Sequence, residues 1–195
     1  MNGYKAIIQI GEENNGYVLS RQVKARGIPS VNLTRMVRNK SIAKLKAGVY
    51  LLPDYIEDPF YTYSISYSKL VFSKETALYL NKLSNRQIDC YHATFPFNSN
   101  SPRLDGFVIH KTRKADYYLG VAMVETPYGN EVKAYDKERC ICDLFIDDSY
   151  DSEDRSYAIK HYRENDLDLK KLYEYAKQLN IFSKVKNVFE VIAWN

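Results

Sequence analysis

Near the start of the chain Tyr4, Ile7, Ile8 and Ile10 recur at helical spacing and predict a first helix over Tyr4–Asn14. Asn15-Gly16 breaks it, and Tyr17-Val18-Leu19 reads as a short extended piece. Ser20 suits the N-cap of a second helix, Arg21–Arg26, which Gly27 stops. After the Ile28-Pro29 turn, Ser30 caps a third helix running to Asn39 or Lys40. In that helix Leu33, Met36 and Val37 fall at i, i+3, i+4, and Val31 supports them as one buried stripe. Asn32, Arg35 and Asn39 fall on another face, flanked by Thr34 and Arg38. Two short helices joined by a tight Gly-containing turn form a helix-turn-helix signature. Ser41–Leu52 alternates in part and contains Gly48, as a hairpin wing does. On a regular strand Lys44 and Lys46 share one face, with Ala43, Leu45 and Ala47 on the other.

Beyond Pro53 the pattern changes character. Asp58-Pro59 starts a helix through Phe60, Tyr63, Ile65 and Tyr67, and Phe72–Glu75 caps another with Ala77, Leu78, Leu80 and Leu83 as its apolar positions. Ile88–Phe95, Phe107–Lys111, Val121–Glu125 and Val132–Tyr135 read as strands, with a turn over Thr126–Asn130. Asp136 caps a helix to Phe145, Asp147–Asp154 reads as an acidic loop, and Leu169, Leu172, Tyr173, Ala176 and Leu179 form an amphipathic stripe. A last short helix is expected over Val185–Trp194. The fold class expected is α+β: an N-terminal winged helix-turn-helix domain (residues 1–53), then a mixed α/β domain with a helical C-terminal portion (residues 54–195).

Charge sharpens this division. Residues 1–53 carry nine Lys/Arg against two Asp/Glu, a net charge of +7, whereas the remainder carries 19 against 22, a net charge of −3. No acidic residue occurs between Glu13 and Asp54. A segment this one-sided points to a polyanion partner. A merely solvated helix face would carry Glu or Asp to balance its basic residues. Asn and Arg side chains pair bidentately with adenine and guanine edges. Asn32, Arg35 and Asn39 are therefore the expected base contacts, and Ser30, Arg21, Arg38, Lys40, Lys44 and Lys46 the expected phosphate contacts. Lysine on an edge strand also defends that edge, and the two roles are compatible.

Catalytic or cofactor chemistry finds little purchase. Cys90, His92, Cys140 and Cys142 invite a zinc reading, but structural zinc favours C-x₂₋₄-C pairs, and C-x-C on a helix points its sulfurs apart. Asp147, Asp148, Asp151, Glu153 and Asp154 could bind Mg²⁺ in a metal-dependent nuclease, although such a run is more often a solvated surface. No phosphate-binding glycine motif occurs. A non-enzymatic protein without cofactor or metal is expected. Three cysteines without framework spacing fit a reducing interior. The N-terminus lacks the apolar run of a signal peptide, and no stretch approaches a membrane span. The expectation is a soluble, cytoplasmic protein with no membrane partner.

Several segments, in order and spacing, resemble the AbiEi antitoxins of type IV (abortive infection) toxin–antitoxin systems. They are Gly16-Tyr17-Val18-Leu19-Ser20, Lys46-Ala47-Gly48-Val49-Tyr50-Leu51, Asp58-Pro59-Phe60, the run Val71–Leu80, Thr126–Asn130, and above all Tyr135-Asp136-Lys137-Glu138-Arg139-Cys140-Ile141-Cys142-Asp143-Leu144. The resemblance implies a transcriptional autorepressor that binds inverted repeats in its own promoter through the winged domain. It further implies that the C-terminal domain antagonises a nucleotidyltransferase-like toxin encoded beside it, without a stable complex. Two rival readings stay open: a toxin-binding interaction module with secondary DNA binding, and the metal-dependent nuclease.

Overall fold

A computed structural model of the chain describes residues 3–191. It shows an α+β protein that divides into two units, Met1–Ser68 and Lys69–Asn195. The first unit runs α1 (Gly3–Glu12), β1 (Tyr17–Leu19), α2 (Ser20–Ala25), α3 (Val31–Arg38), β2 (Ala43–Lys46), β3 (Val49–Leu51) and α4 (Pro59–Ser66). Its three strands are antiparallel in the order β1-β3-β2. All three residues of β1 are buried, because the sheet is covered on both faces. On one side Val18 packs with Ile7 and Ile10 of α1, Val23 of α2, and Leu33 and Met36 of α3. On the other, Tyr17, Leu19, Val49 and Leu51 meet Tyr61 and Ile65 of α4.

The placement of α4 follows from one buried hydroxyl. Tyr17 Oη accepts from the Asp58 N–H at 2.8 Å, donates to the Asp58 carbonyl at 3.1 Å and lies 3.3 Å from Thr62 Oγ1. Asp58 in turn caps α4, its carboxylate accepting from the Tyr61 N–H. The α4 helix thus belongs with the N-terminal unit, and the units divide after Ser68 where composition suggested Pro53.

The second unit contains β4 (Val71–Phe72), α5 (Lys74–Leu80), β5 (Tyr91–Pro96), β6 (Phe107–Thr112), α6 (Lys114–Tyr118), β7 (Val121–Glu125), β8 (Glu131–Tyr135), α7 (Lys137–Ile146), α8 (Ser152–Asn165), α9 (Leu169–Gln178) and α10 (Phe182–Val191). Its mixed sheet has the order β6-β5-β4-β8-β7, parallel between β5 and β6 and between β4 and β8. The central helix is α7, buried from Glu138 to Leu144. Its polar residues survive burial only because each is paired. Arg139 Nε donates to Asp143 Oδ1 at 2.9 Å, with both side chains 7% exposed, and Nη1 donates to the Leu119 carbonyl. Glu138 accepts from Tyr162 Oη and pairs with Lys171. Arg139 passes so close to the β7 entry that a Cβ on Gly120, whose φ is +79°, would stand 2.6 Å from its own Cβ. The Tyr135–Leu144 motif is therefore the core of the second unit.

Several elements differ from their sequence expectation. Ser20 is the first helical residue of α2 and not its cap; Leu19 is, with its N–H donating to Gln22 Oε1. The strand expected from Ile88 begins at Tyr91. Asp151, placed in a loop, caps a 14-residue helix, α8. The last helix begins at Phe182, and its expected end at Trp194 lies outside the described residues.

Candidate nucleic-acid interface

The presentation of α3 is set at both ends. Gly27, at φ +70°, closes α2: its N–H donates to the Lys24 carbonyl and the Ile28 N–H to the Val23 carbonyl. The same arrangement closes α3, with Lys40 in the left-handed region at φ +61° and the Ser41 N–H donating to the Met36 carbonyl. Ser30 precedes α3 but makes no side-chain cap bond, and its backbone is already helical.

Between these ends the buried stripe is Leu33 and Met36, with Val37 partly buried against it. Val31 does not join them and is 47% exposed. The outward stripe is Val31, Thr34, Arg35 and Arg38, at i, i+3, i+4, i+7. Asn32 falls to one side and is half-buried, its amide lying where a Cβ on Gly3 of α1 would come within 2.6 Å. Asn39 is exposed, but its Oδ1 accepts from the Ser41 N–H at 3.2 Å, holding it in the helix-ending turn. Of the three expected base contacts, only Arg35 lies on the outward stripe.

The β2–β3 hairpin also departs from expectation. Lys44 pairs with Tyr50 and Lys46 with Val49, so the register shifts between them and leaves Leu45 as the extra residue of a bulge. Val49 and Tyr50 point to opposite faces, and so therefore do Lys46 and Lys44. Lys44 stays exposed. Lys46 turns towards α4, and its Nζ lies 4.0 Å from the centre of the Tyr63 ring. The common lysine face is thus corrected: a strand that slips by one residue exchanges its faces.

Arg21, Ser30, Arg38 and Lys40 are exposed as expected. Arg26 is tied to Glu13 at 2.6 Å, and the bond holds the Glu13 carboxyl below its usual range. Among the described residues, Arg21, Arg35, Arg38, Lys40 and Lys44 form no ion pair. Together these residues place two arginines, Arg35 and Arg38, on the outward stripe of α3 and three further unpaired cations on α2, at the turn that closes α3 and on the hairpin. The unit to Ser68 carries nine Lys/Arg against five Asp/Glu, a net charge of +4.

The residues weighed for metal chemistry lie elsewhere. Cys140 and Cys142 are buried within α7, and burial pushes the Cys142 thiol up to about 12. Asp147 pairs with Lys74 at 2.9 Å, while Asp151 and Asp154 both pair with Arg86 at 2.7 Å. Among the described residues, no group of three or more His, Cys, Asp and Glu is placed to hold a metal ion. Among them too, no helix is long and apolar enough to cross a membrane.

No family model and no curated protein matches this chain. A solved structure does: the RV2827C protein from Mycobacterium tuberculosis, with a TM-score of 0.60 over 90% of this chain and 71% of that one. At 12% identity the likeness is one of fold.

Proposed function

We propose that residues 3–66 form a winged helix-turn-helix domain that binds double-stranded DNA with α3 in the major groove. The observation that carries this is the outward stripe Val31, Thr34, Arg35 and Arg38, flanked by the unpaired cations Arg21, Lys40 and Lys44 in a stretch without a single acid. The element order α1-β1-α2-α3-β2-β3, with the sheet ordered β1-β3-β2, supports it, since such domains place their second helix-turn-helix helix in the groove and a hairpin beside the backbone. Arg35 and Thr34 read base edges, Val31 offers an apolar contact suited to a thymine methyl, and Arg21, Arg38, Lys40 and Lys44 neutralise phosphates.

With the AbiEi resemblance, the chain acts as a type IV antitoxin that represses its own operon at inverted repeats, and the unit from Lys69 antagonises a nucleotidyltransferase-like toxin. Two copies related by a two-fold on the DNA fit an inverted repeat. Fluorescence anisotropy on the protein's own promoter tests the first part. Binding at least about a thousandfold tighter than to a scrambled duplex is expected for a specific site; equal affinity for both would overturn it. Co-expression with the adjacent toxin gene tests the second. Growth should be restored by the wild type and by Arg35→Ala alike, with repression lost only in the variant; no rescue by either would refute antitoxin action.

A further inference from the structure

The parallel pairing of β5 with β6 brings together residues that lie far apart in sequence. His92 on β5 and His110 on β6 stack at 5.2 Å between ring centres, with His92 Nδ1 3.0 Å from His110 Nε2. Glu75 on α5 places Oε2 2.8 Å from the same His92 Nδ1. The His92 backbone is fixed as well, its N–H donating to Thr76 Oγ1 at 2.7 Å. Burial lowers the pKa of His110 and favours its neutral ring. A carboxylate and a neutral imidazole nitrogen converging on Nδ1 are satisfied together when that nitrogen carries the proton. The network therefore assigns the Nδ1–H tautomer to His92 and leaves Nε2 as a base. Cys90, two residues earlier on the same face of the chain, puts its Sγ 3.4 Å from that Nε2.

This is the constellation of an activated nucleophile: thiol, base within reach, and a third group orienting the base. It opens on a cavity of about 310 Å³ lined by Glu75, Leu78, Arg86, Cys90, His92 and Tyr150. Tyr150 is 7% exposed, and its hydroxyl has no hydrogen-bond partner among the described residues. A buried donor left unmatched in this way is costly. The other two cysteines show the contrast. Cys140 and Cys142 are buried in α7, and burial pushes both thiols up, the pattern of structural and inert cysteine.

We propose that Cys90 is a reactive thiol, with His92 as its general base and Glu75 as the residue positioning that base, and that the cavity admits low-molecular-weight disulfides bearing ammonium and carboxylate groups. Arg86, Asp151 and Asp154 pair with one another in the cavity wall at 2.7 Å, and they exchange those partners for the charges of such a zwitterion. The thiol proton passes to His92 Nε2 as Sγ attacks one sulfur of the disulfide. That S–S bond breaks as the new one forms, and the departing thiolate takes the proton from Nε2. Cys90 is oxidised to a mixed disulfide, and the reagent is reduced to one free thiol. With Cys140 and Cys142 sealed in the core, no second protein thiol stands ready to resolve the product, so it persists until an external thiol reverses it. The site lies within the second unit and does not depend on DNA binding.

The experiment treats the full chain with glutathione disulfide and follows each cysteine by peptide mass mapping. Cys90 should be modified alone, at least about tenfold faster than the same cysteine in the urea-unfolded chain, as expected where a positioned base assists. His92→Ala and Glu75→Gln should each slow the native reaction by about tenfold or more. A native rate no faster than the unfolded one overturns the proposal, as does a folded His92→Ala chain reacting like wild type. If His92→Ala fails to fold, the wild-type comparison of native with unfolded chain decides alone.

Discussion

The register shift in the β2–β3 hairpin separates two lysines that sequence alone treats as equivalent, and their alanine variants should behave in opposite ways. Each neutralised phosphate adds about 0.9 to the steepness of log affinity against log salt. Arg21, Arg38, Lys40 and Lys44 as the phosphate contacts give a slope of roughly −3.6. Lys44 is exposed and unpaired, so Lys44→Ala should make the slope shallower by about 0.9, which is roughly 3.5-fold in affinity over a fourfold rise in salt. Its effect on folding should stay within about 0.5 kcal/mol, as for an ordinary surface change. Lys46 instead rests on Tyr63. Lys46→Ala should leave the slope unchanged and cost about 0.5–1 kcal/mol of unfolding free energy, the worth of a cation over a ring at a partly exposed site. Anisotropy titrations on the promoter duplex at several salt concentrations, paired with urea denaturation, measure both quantities. If Lys46→Ala flattens the slope as much as Lys44→Ala does, the opposed faces play no part in DNA contact and the reasoning fails.

Arg35→Ala should relax sequence preference by about 1–3 kcal/mol at one base pair, whereas Asn32→Ala should leave preference intact because Asn32 faces α1; a binding-site selection on both variants distinguishes them. Tyr17→Phe removes the hydroxyl that accepts from the buried Asp58 N–H and should lower the unfolding free energy by about 1–3 kcal/mol, with thermal or urea melts as the measure and an unchanged midpoint as the contrary result. Hydrogen bonds from Ser149, and then the Lys74 ammonium, hold the Asp147 carboxyl well below its usual range. Stability from a depressed carboxyl is complete above its unfolded pKa, about 3.9, and is lost as pH falls towards the folded value. Asp147→Asn should therefore be less stable than wild type at neutral pH, with the gap closing below about pH 4; a gap constant over that range would contradict the assignment.

What could be read from the sequence was local, and what could not was long-range. Gly27 as a helix stop, Asp58 and Asp136 as caps, and Leu33 with Met36 as a buried pair all depend on neighbours within one or two turns. Val31 misled because it is apolar, yet its position at i−4 from Arg35 and i−7 from Arg38 already put it on their face. The bulge at Leu45 left no mark in the alternation, since one extra residue in a four-residue strand looks like noise. The α8 helix hid for a different reason: only Ala158 and Tyr162 of its 14 residues are buried, so it has almost no apolar period, and its acidic start served as its cap. The attachment of α4 turned on a hydroxyl 41 residues away, and the Glu75–His92–His110 cluster on a parallel strand pairing that no short motif encodes.

The second sheet carries one further implication. Its outer pairs, β5 with β6 and β7 with β8, meet through β4, which is two residues long. Val71 and Phe72 supply the paired residues of that seam, Phe72 facing Ala93 on one side and Ala134 on the other, and both are fully buried; the Ser73 N–H adds one bond, to the His92 carbonyl at 3.0 Å. So narrow a join persists by excluding water and not by the length of its ladder. Amide exchange along it should report the opening of the whole sheet, and a smaller side chain at Phe72 should loosen both halves at once.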